Sequence, residues 1–372
     1  MLFFVLGLKP NSTVQINDGW DLKGEKLVIP ENVTLSFGKN GSIRNGVLVG
    51  NQTRISGDTE GIFDAVGIDG SWCVPQIDSK MFSDLSAENA LVPLFALASS
   101  TEQNTIRIAE GSYTLVASSE KPNVLTVVSN TEVIIDGVVR LAPNDLGSYK
   151  MFDLRGDHIY LHGSGEIVGD RMAHTGETGE WGMGISMQRA SDIRIEDLTV
   201  RDCWGDCIYV SKRSDNVRIK HCKLLNSRRQ GISITSAGFV HVSDCLIQDI
   251  HGTNPQYGID VEPNKRDTVD FVLVDRVSMV DCRGGITVSC SPTKECQVSR
   301  IEINDCTVQG CVERYSYKFS NTKTVIMRHC SGVKRNIRFK NIEYVFVEDN
   351  RITELEDKSL YYFGRCKDVI RR

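Results

Sequence analysis

Two carboxylates stand two residues apart in the segment Tyr257-Gly-Ile-Asp260-Val-Glu262, which alternates apolar and polar side chains. Along an extended strand that spacing is about 6.6 Å between Cα atoms, with both side chains on one face. Carboxylates so placed can span either the roughly 5–5.5 Å separation of retaining glycosidases or the roughly 6.5–9.5 Å of inverting ones. One would serve as general acid, the other as base or nucleophile. Asp206 occupies an aligned position in an earlier repeat and is a third carboxylate for this work. The plain alternative is a charged, solvated strand face. Either way Asp260 and Glu262 are expected to point to solvent, leaving Ile259 and Val261 to the core.

Just before each such strand the residues align again. Trp181, Trp204, Arg228 and Pro255 share one position, Arg229, Gln256 and Arg283 the next, and Asp206, Gln230 and Tyr257 the one after. Two of the four tryptophans thus fall on adjacent repeats beside an arginine. Indole faces and guanidinium planes pack on sugar rings while their polar edges hold hydroxyls. The structural alternative is a stack that seals a turn. With Tyr209 and Ser233 from the outward strand face, the expected binding surface is Trp181, Trp204, Tyr209, Arg228, Arg229, Gln230, Ser233, Tyr257 and Arg283. A longer stretch between Gly169 and Gly182 carries His174, Glu177 and Glu180 and ends at Trp181. Connections of about a dozen residues in a short-period repeat are functional or disordered. His174 and Glu180 are therefore further candidates for acid or base, against the alternative of ordinary loop charges.

Composition narrows the classes. The 372 residues carry 43 basic and 48 acidic side chains, a formal charge of −5, which argues against a nucleic-acid binder. With 40% hydrophobic and 24% charged residues the chain is not disordered. No stretch reaches the roughly 18–20 apolar residues needed to span a bilayer. Twelve cysteines contain no CxxC pair, which removes the usual zinc-ribbon and thioredoxin signals. There is no GxSxG elbow for acyl transfer, and Gly182-Met-Gly184 lacks the rest of a dinucleotide fingerprint.

The elements that must position these residues follow from an internal period. Gly184-Ile-Ser-Met-Gln, Cys207-Ile-Tyr-Val-Ser, Gly231-Ile-Ser-Ile-Thr, Gly258-Ile-Asp-Val-Glu and Gly285-Ile-Thr-Val-Ser start 23, 24, 27 and 27 residues apart. Each alternates apolar and polar residues, as a half-buried strand does. The outward row is Ser186, Tyr209, Ser233, Asp260 and Thr287, mostly hydroxyls fit to hydrogen-bond a sugar. A second strand lies between the units, as in Ile193-Arg-Ile, Val217-Arg-Ile and Val240-His-Val. Short strands at constant spacing describe coils that stack, each burying its inner face against its neighbours. Leu198, Cys222, Cys245, Val277, Cys306 and Cys330 share one position after the second strand. They are expected to form an inward ladder of free thiols and small hydrophobes, because rungs about 4.8 Å apart do not meet the Cβ geometry of a disulfide.

These coils, Gly-led strands and the Cys/Val ladder resemble the right-handed parallel β-helix of the pectate-lyase-like superfamily, over roughly residues 105–372. The expected fold is all-β, one continuous solenoid: irregular coils and a helix near 80–99 within residues 1–104, then regular coils over 105–372. Pectate lyases, polygalacturonases, sugar epimerases and phage tailspikes share this fold, and almost all act on polysaccharide. The resemblance implies cleavage of a polysaccharide in a groove along the outward face, by hydrolysis through Asp260, Glu262 or Asp206. Its rivals are β-elimination on a uronic-acid polymer, with arginines neutralising the acid, and a non-catalytic glycan-binding or tailspike module. The polygalacturonase pattern NTD…DD…GHG is absent. Arg218-Ile-Lys220 is similar to its basic triplet but falls in a second strand and repeats the scaffold pattern. No cofactor is expected, although a lyase would admit a divalent cation such as calcium.

The ends carry two further expectations. Met1 to Leu8 is apolar without a basic leader, a trimmed signal remnant or a first strand; the resemblance implies a secreted, periplasmic or virion-associated protein. The apolar last coil, Leu360-Tyr-Tyr-Phe-Gly, has no evident cap, which implies a homo-oligomer or a partner segment over its open edge.

Overall fold

Ile185, Ile208, Ile232, Ile259 and Ile286, one from each repeat, are Cα partners in successive parallel strands and all are buried. Burying one such side chain stabilises the fold by about 1.5–3 kcal/mol, but only when the coils above and below are present. The computed structural model describes residues 8–85, 90–311, 314–356 and 358–372. In its regular part each strand pairs with the third strand on, giving sheets of ten, eleven and ten strands, the second extended to twelve by Gln76–Asp78. One coil runs through Asp206–Ser211 in the first sheet, Asp215–Lys220 in the second and Lys223–Leu225 in the third, before Gln230–Ile234 opens the next.

The corners explain the sequence repeat. The second and third strands are joined by two residues, the first in the left-handed region: Asp197, His221, Asp244, Arg276, Asp305, His329 and Asp349 all have φ between 47° and 61°. Where a glycine precedes the buried Ile of a first-sheet strand, its missing side chain is aimed inward. A Cβ on Gly231 would sit 2.5 Å from Ile247 Cγ2, and one on Gly285 2.6 Å from Val308 Cγ2. The third sheet already fills that space. Connections from the third sheet back to the first are the long ones, notably residues 169–180 and 249–256, and they border the edge where Asp206, Gln230 and Tyr257 lie.

The cysteine ladder has the expected form. Cys222, Cys245, Cys306 and Cys330 are buried free thiols, with Leu198 and Val277 buried at the same position. The disulfide lies elsewhere, between Cys290 and Cys296 in a surface loop.

The helix expected near 80–99 is shorter than its apolar pattern. Among the described residues there is a 3-10 turn at Ser79–Met81 and an α-helix at Leu91–Ala96. Residues 86–89 lie outside the described residues, as do 1–7 of the apolar start. Pro93 falls in the first turn of the helix, where its missing N–H is no loss. A helix begun near 80 would have placed it in the interior, where the ring clashes with a preceding carbonyl. Phe95 packs edge-on to Phe152 of the first sheet, 6.0 Å between centroids. Earlier, Thr13–Ile16, Thr34–Phe37 and the end of Ser42–Gly57 pair in parallel, and Gln76–Asp78 joins the edge of the twelve-stranded sheet. No helix among the described residues is long and apolar enough to cross a membrane.

Candidate active site

The parallel register decides which side chains meet. Ser186, Tyr209, Ser233, Asp260, Thr287 and Lys318 are successive Cα partners across the first sheet. Asp260 and Glu262 line one cavity of about 200 Å³, together with Tyr257, Thr287, Arg314 and Lys318. The expectation that both carboxylates project into solvent needs correction. Asp260 is only 3% exposed, because neighbouring coils bring longer side chains up on both sides of it. Gln230 Nε2 donates to Asp260 Oδ2 at 3.0 Å, while Gln230 Oε1 accepts the Tyr257 backbone N–H at 2.8 Å.

Burial raises the Asp260 pKa to about 7, helped by the nearby Glu262 charge and opposed by Arg229. Glu262 is half-exposed and accepts a 2.8 Å hydrogen bond from Lys294 Nζ. Two neighbouring carboxyls thus sit in different surroundings, Asp260 buried against Gln230 and Glu262 half-exposed against Lys294.

Asp206 is buried beside the same groove, though it does not line that cavity. Arg229 Nη1 lies 3.0 Å from its Oδ2 and 3.4 Å from Ser233 Oγ, and Arg229 Nε is 3.4 Å from Glu180 Oε2. Burial lifts the Asp206 pKa to about 6, with Arg229 pulling it back. Arg229 thereby ties together Asp206, Ser233 and Glu180. Burial also pushes the Tyr257 hydroxyl up to about 12, so it remains a neutral donor.

Other expected residues are placed differently. The His174 ring is fully buried, with Nδ1 2.7 Å from Asp170 Oδ2; Asp170 also accepts from Tyr149 and Asn144. This network anchors the 169–180 connection and does not bring His174 to the carboxylates. Trp204 has both faces covered, by the His174 ring at 3.8 Å and the Arg228 guanidinium at 3.7 Å. Neither face is open to a sugar, and Arg228 is further held by Gly179 O at 2.9 Å. Trp181 is the open one, 54% exposed. It lines a cavity of about 280 Å³ with Lys150 and Tyr209. Tyr209 accepts from Thr235 Oγ1 at 3.2 Å, and Arg283 is half-buried outside both cavities.

Lys294, Arg314 and Lys318 were not legible as site residues. Lys318 lies in Ser316-Tyr-Lys-Phe-Ser, where aromatics replace the Gly-Ile-Val signature but the alternation persists; that alternation was the available signal. Lys294 reaches Glu262 from a loop 32 residues on, and no spacing announces it. Among the described residues no three His, Cys, Asp or Glu side chains converge on a metal position.

The family model described as "Right handed beta helix region" matches residues 136–269, the coils that carry Asp206, Gln230 and Asp260. The chain folds as a right-handed parallel β-helix. This β-helix is 34% identical over 169 residues to the uncharacterized protein YclG of Bacillus subtilis, covering 40% of this chain and 29% of that protein. It is 27% identical over 183 residues to the SPbeta prophage-derived uncharacterized protein YorA of the same bacterium, covering 43% and 31%. The β-helix therefore spans less than a third of the length of either curated relative. In fold it is similar to the tailspike protein of E. coli bacteriophage HK620 in complex with a pentasaccharide, with TM-score 0.52, 12% identity, and coverage of 77% of this chain and 61% of that one.

Proposed function

We propose that this β-helix cleaves glycosidic bonds of a polysaccharide lying along its first sheet, with Asp260 as general acid and Glu262 as its carboxylate partner. One observation carries the reading: both residues line one cavity, one held near pH 7 by burial, the other paired with Lys294. A protonated Asp260 gives its proton to the leaving glycosidic oxygen. Glu262 then activates a water or attacks the anomeric carbon, depending on the separation it adopts around the substrate. Arg229 and Asp206 hold the groove's polar wall, and Trp181 offers an aromatic face upstream. The likeness in fold to a tailspike seen with a pentasaccharide supports a glycan as ligand.

β-Elimination on a uronate polymer is the second reading, favoured by Arg314 and Lys318 in the same cavity, which could neutralise a carboxylate beside the reacting carbon. Purified protein incubated with acidic and neutral glycans separates the readings. New reducing ends without an unsaturated product mean hydrolysis; an ultraviolet-absorbing unsaturated uronide means elimination. Binding with neither product means a recognition module. Asp260→Asn and Glu262→Gln should each lower hydrolytic turnover by about 10²–10⁴-fold, the usual cost of losing a general acid or base. Full activity in both variants would move the chemistry elsewhere, first to Asp206.

A further inference from the structure

A larger concavity lies on the second sheet, away from the carboxylates. It has a volume of about 430 Å³ and is lined in part by Tyr160, Arg194, Glu196 and Arg218. A second hollow of about 340 Å³ shares Glu196 and Arg218 and continues to Lys220 and His241. Tyr160, Arg194, Arg218 and His241 are successive Cα partners on four coils, so the row runs about 14 Å at 4.8 Å per coil.

The charges in this row are unbalanced. Arg194 and Arg218 sit directly opposite each other, an arrangement that destabilises a sheet when the charges are alike. Among the described residues neither has an ion-pair partner. Two carboxylates line the same hollow but bind other partners: Glu196 accepts from Tyr160 Oη at 2.8 Å, and Asp192 accepts from Asn216 and lies 3.2 Å from His158 Nδ1. Beside Arg218, His241 Nε2 is buried without a hydrogen-bond partner. Two guanidinium forks and an unpartnered buried imidazole nitrogen along one hollow match the acceptor geometry of an oxyanion.

We infer that this groove binds an oxyanion, a carboxylate, sulfate or phosphate, bridged between Arg194 and Arg218 and reached by His241. Its bearer is an acidic glycan or the free anion, and the same experiment tells them apart. Wild-type protein and the Arg194→Gln/Arg218→Gln variant are melted in sulfate and in chloride at matched ionic strength, then titrated calorimetrically with sulfate and with sulfated and carboxylated oligosaccharides. Wild type should gain saturable stability from sulfate, and the double variant should lose affinity by about tenfold or more. Without anion the variant should melt no lower than wild type, since a like-charge pair is removed. Arginine-dependent oligosaccharide binding tighter than sulfate identifies a glycan; arginine-dependent sulfate binding alone identifies the free anion. Equal sulfate responses in both proteins would be a general salt effect and would overturn the site. Neither arginine lines the Asp260 cavity, so the result is independent of whether that cavity cleaves anything.

Discussion

Gln230 and Asp260 are joined across adjacent coils by a 3.0 Å hydrogen bond from the amide nitrogen to the buried carboxyl oxygen. The same amide accepts the Tyr257 backbone N–H through its oxygen, so its orientation is fixed and its nitrogen can only donate. Gln230→Ala should leave that backbone N–H unpaired, at about 1–3 kcal/mol. It should also raise the pKa of Asp260, because a donor to the charged form is lost. Denaturant unfolding and carboxyl-resolved NMR titration read the two effects separately. An unchanged Asp260 titration would show that the bond does not tune the acid.

The pH dependence has a definite sign. Asp260 must be protonated to act as the acid, so turnover should fall as pH rises through about 7. Its folded pKa lies above the ordinary 3.8, so the native state holds a proton that the unfolded chain releases. Stability should therefore decline from about pH 4 to about pH 7 and then level. Asp260→Asn removes this dependence and should be the more stable protein at pH 8, on the order of 1–4 kcal/mol, the gap narrowing toward pH 4. Parallel pH–stability curves for the two proteins would contradict the assignment.

Trp181 and Trp204 share an aligned position yet should respond oppositely. Trp204→Ala opens a gap between His174 and Arg228 and should cost about 3 kcal/mol of stability. Trp181→Ala should leave the melting temperature nearly unchanged and weaken glycan binding by removing an open stacking face. Thermal melts with affinity electrophoresis on a confirmed ligand check both halves.

The thiols offer a test of the inward register. Of ten free cysteines only Cys366 is partly exposed. Native protein should therefore react quickly with about one equivalent of thiol reagent, and with all ten only after denaturation. Rapid native labelling of Cys222 or Cys245 would mean that the ladder does not face inward.

Much of this architecture is local and therefore readable from one sequence. A Gly-Ile-X-Val unit every 23–27 residues carries its own geometry: glycine where the third sheet leaves no room for a Cβ, Ile and Val where successive rungs stack. The Cys/Val position is equally regular, because every coil repeats one corner. Asp260 and Glu262 were legible as a pair for the same reason, their alternation placing them on one face.

The protonation states, the cavity and the partners were decided only in three dimensions. Whether an outward carboxyl is solvated or buried depends on the coils above and below, and these bring Gln230, Arg229 and Thr287 against it. Glu262 finds its cation in Lys294, and Trp204 loses both faces to His174 and Arg228, across separations that no local pattern encodes. Stacking sets the inner face by repetition, so the sequence alone determined the solenoid and its register. The outer face is set by loops and long side chains of unequal length, and tertiary structure alone decided which of its polar groups meet.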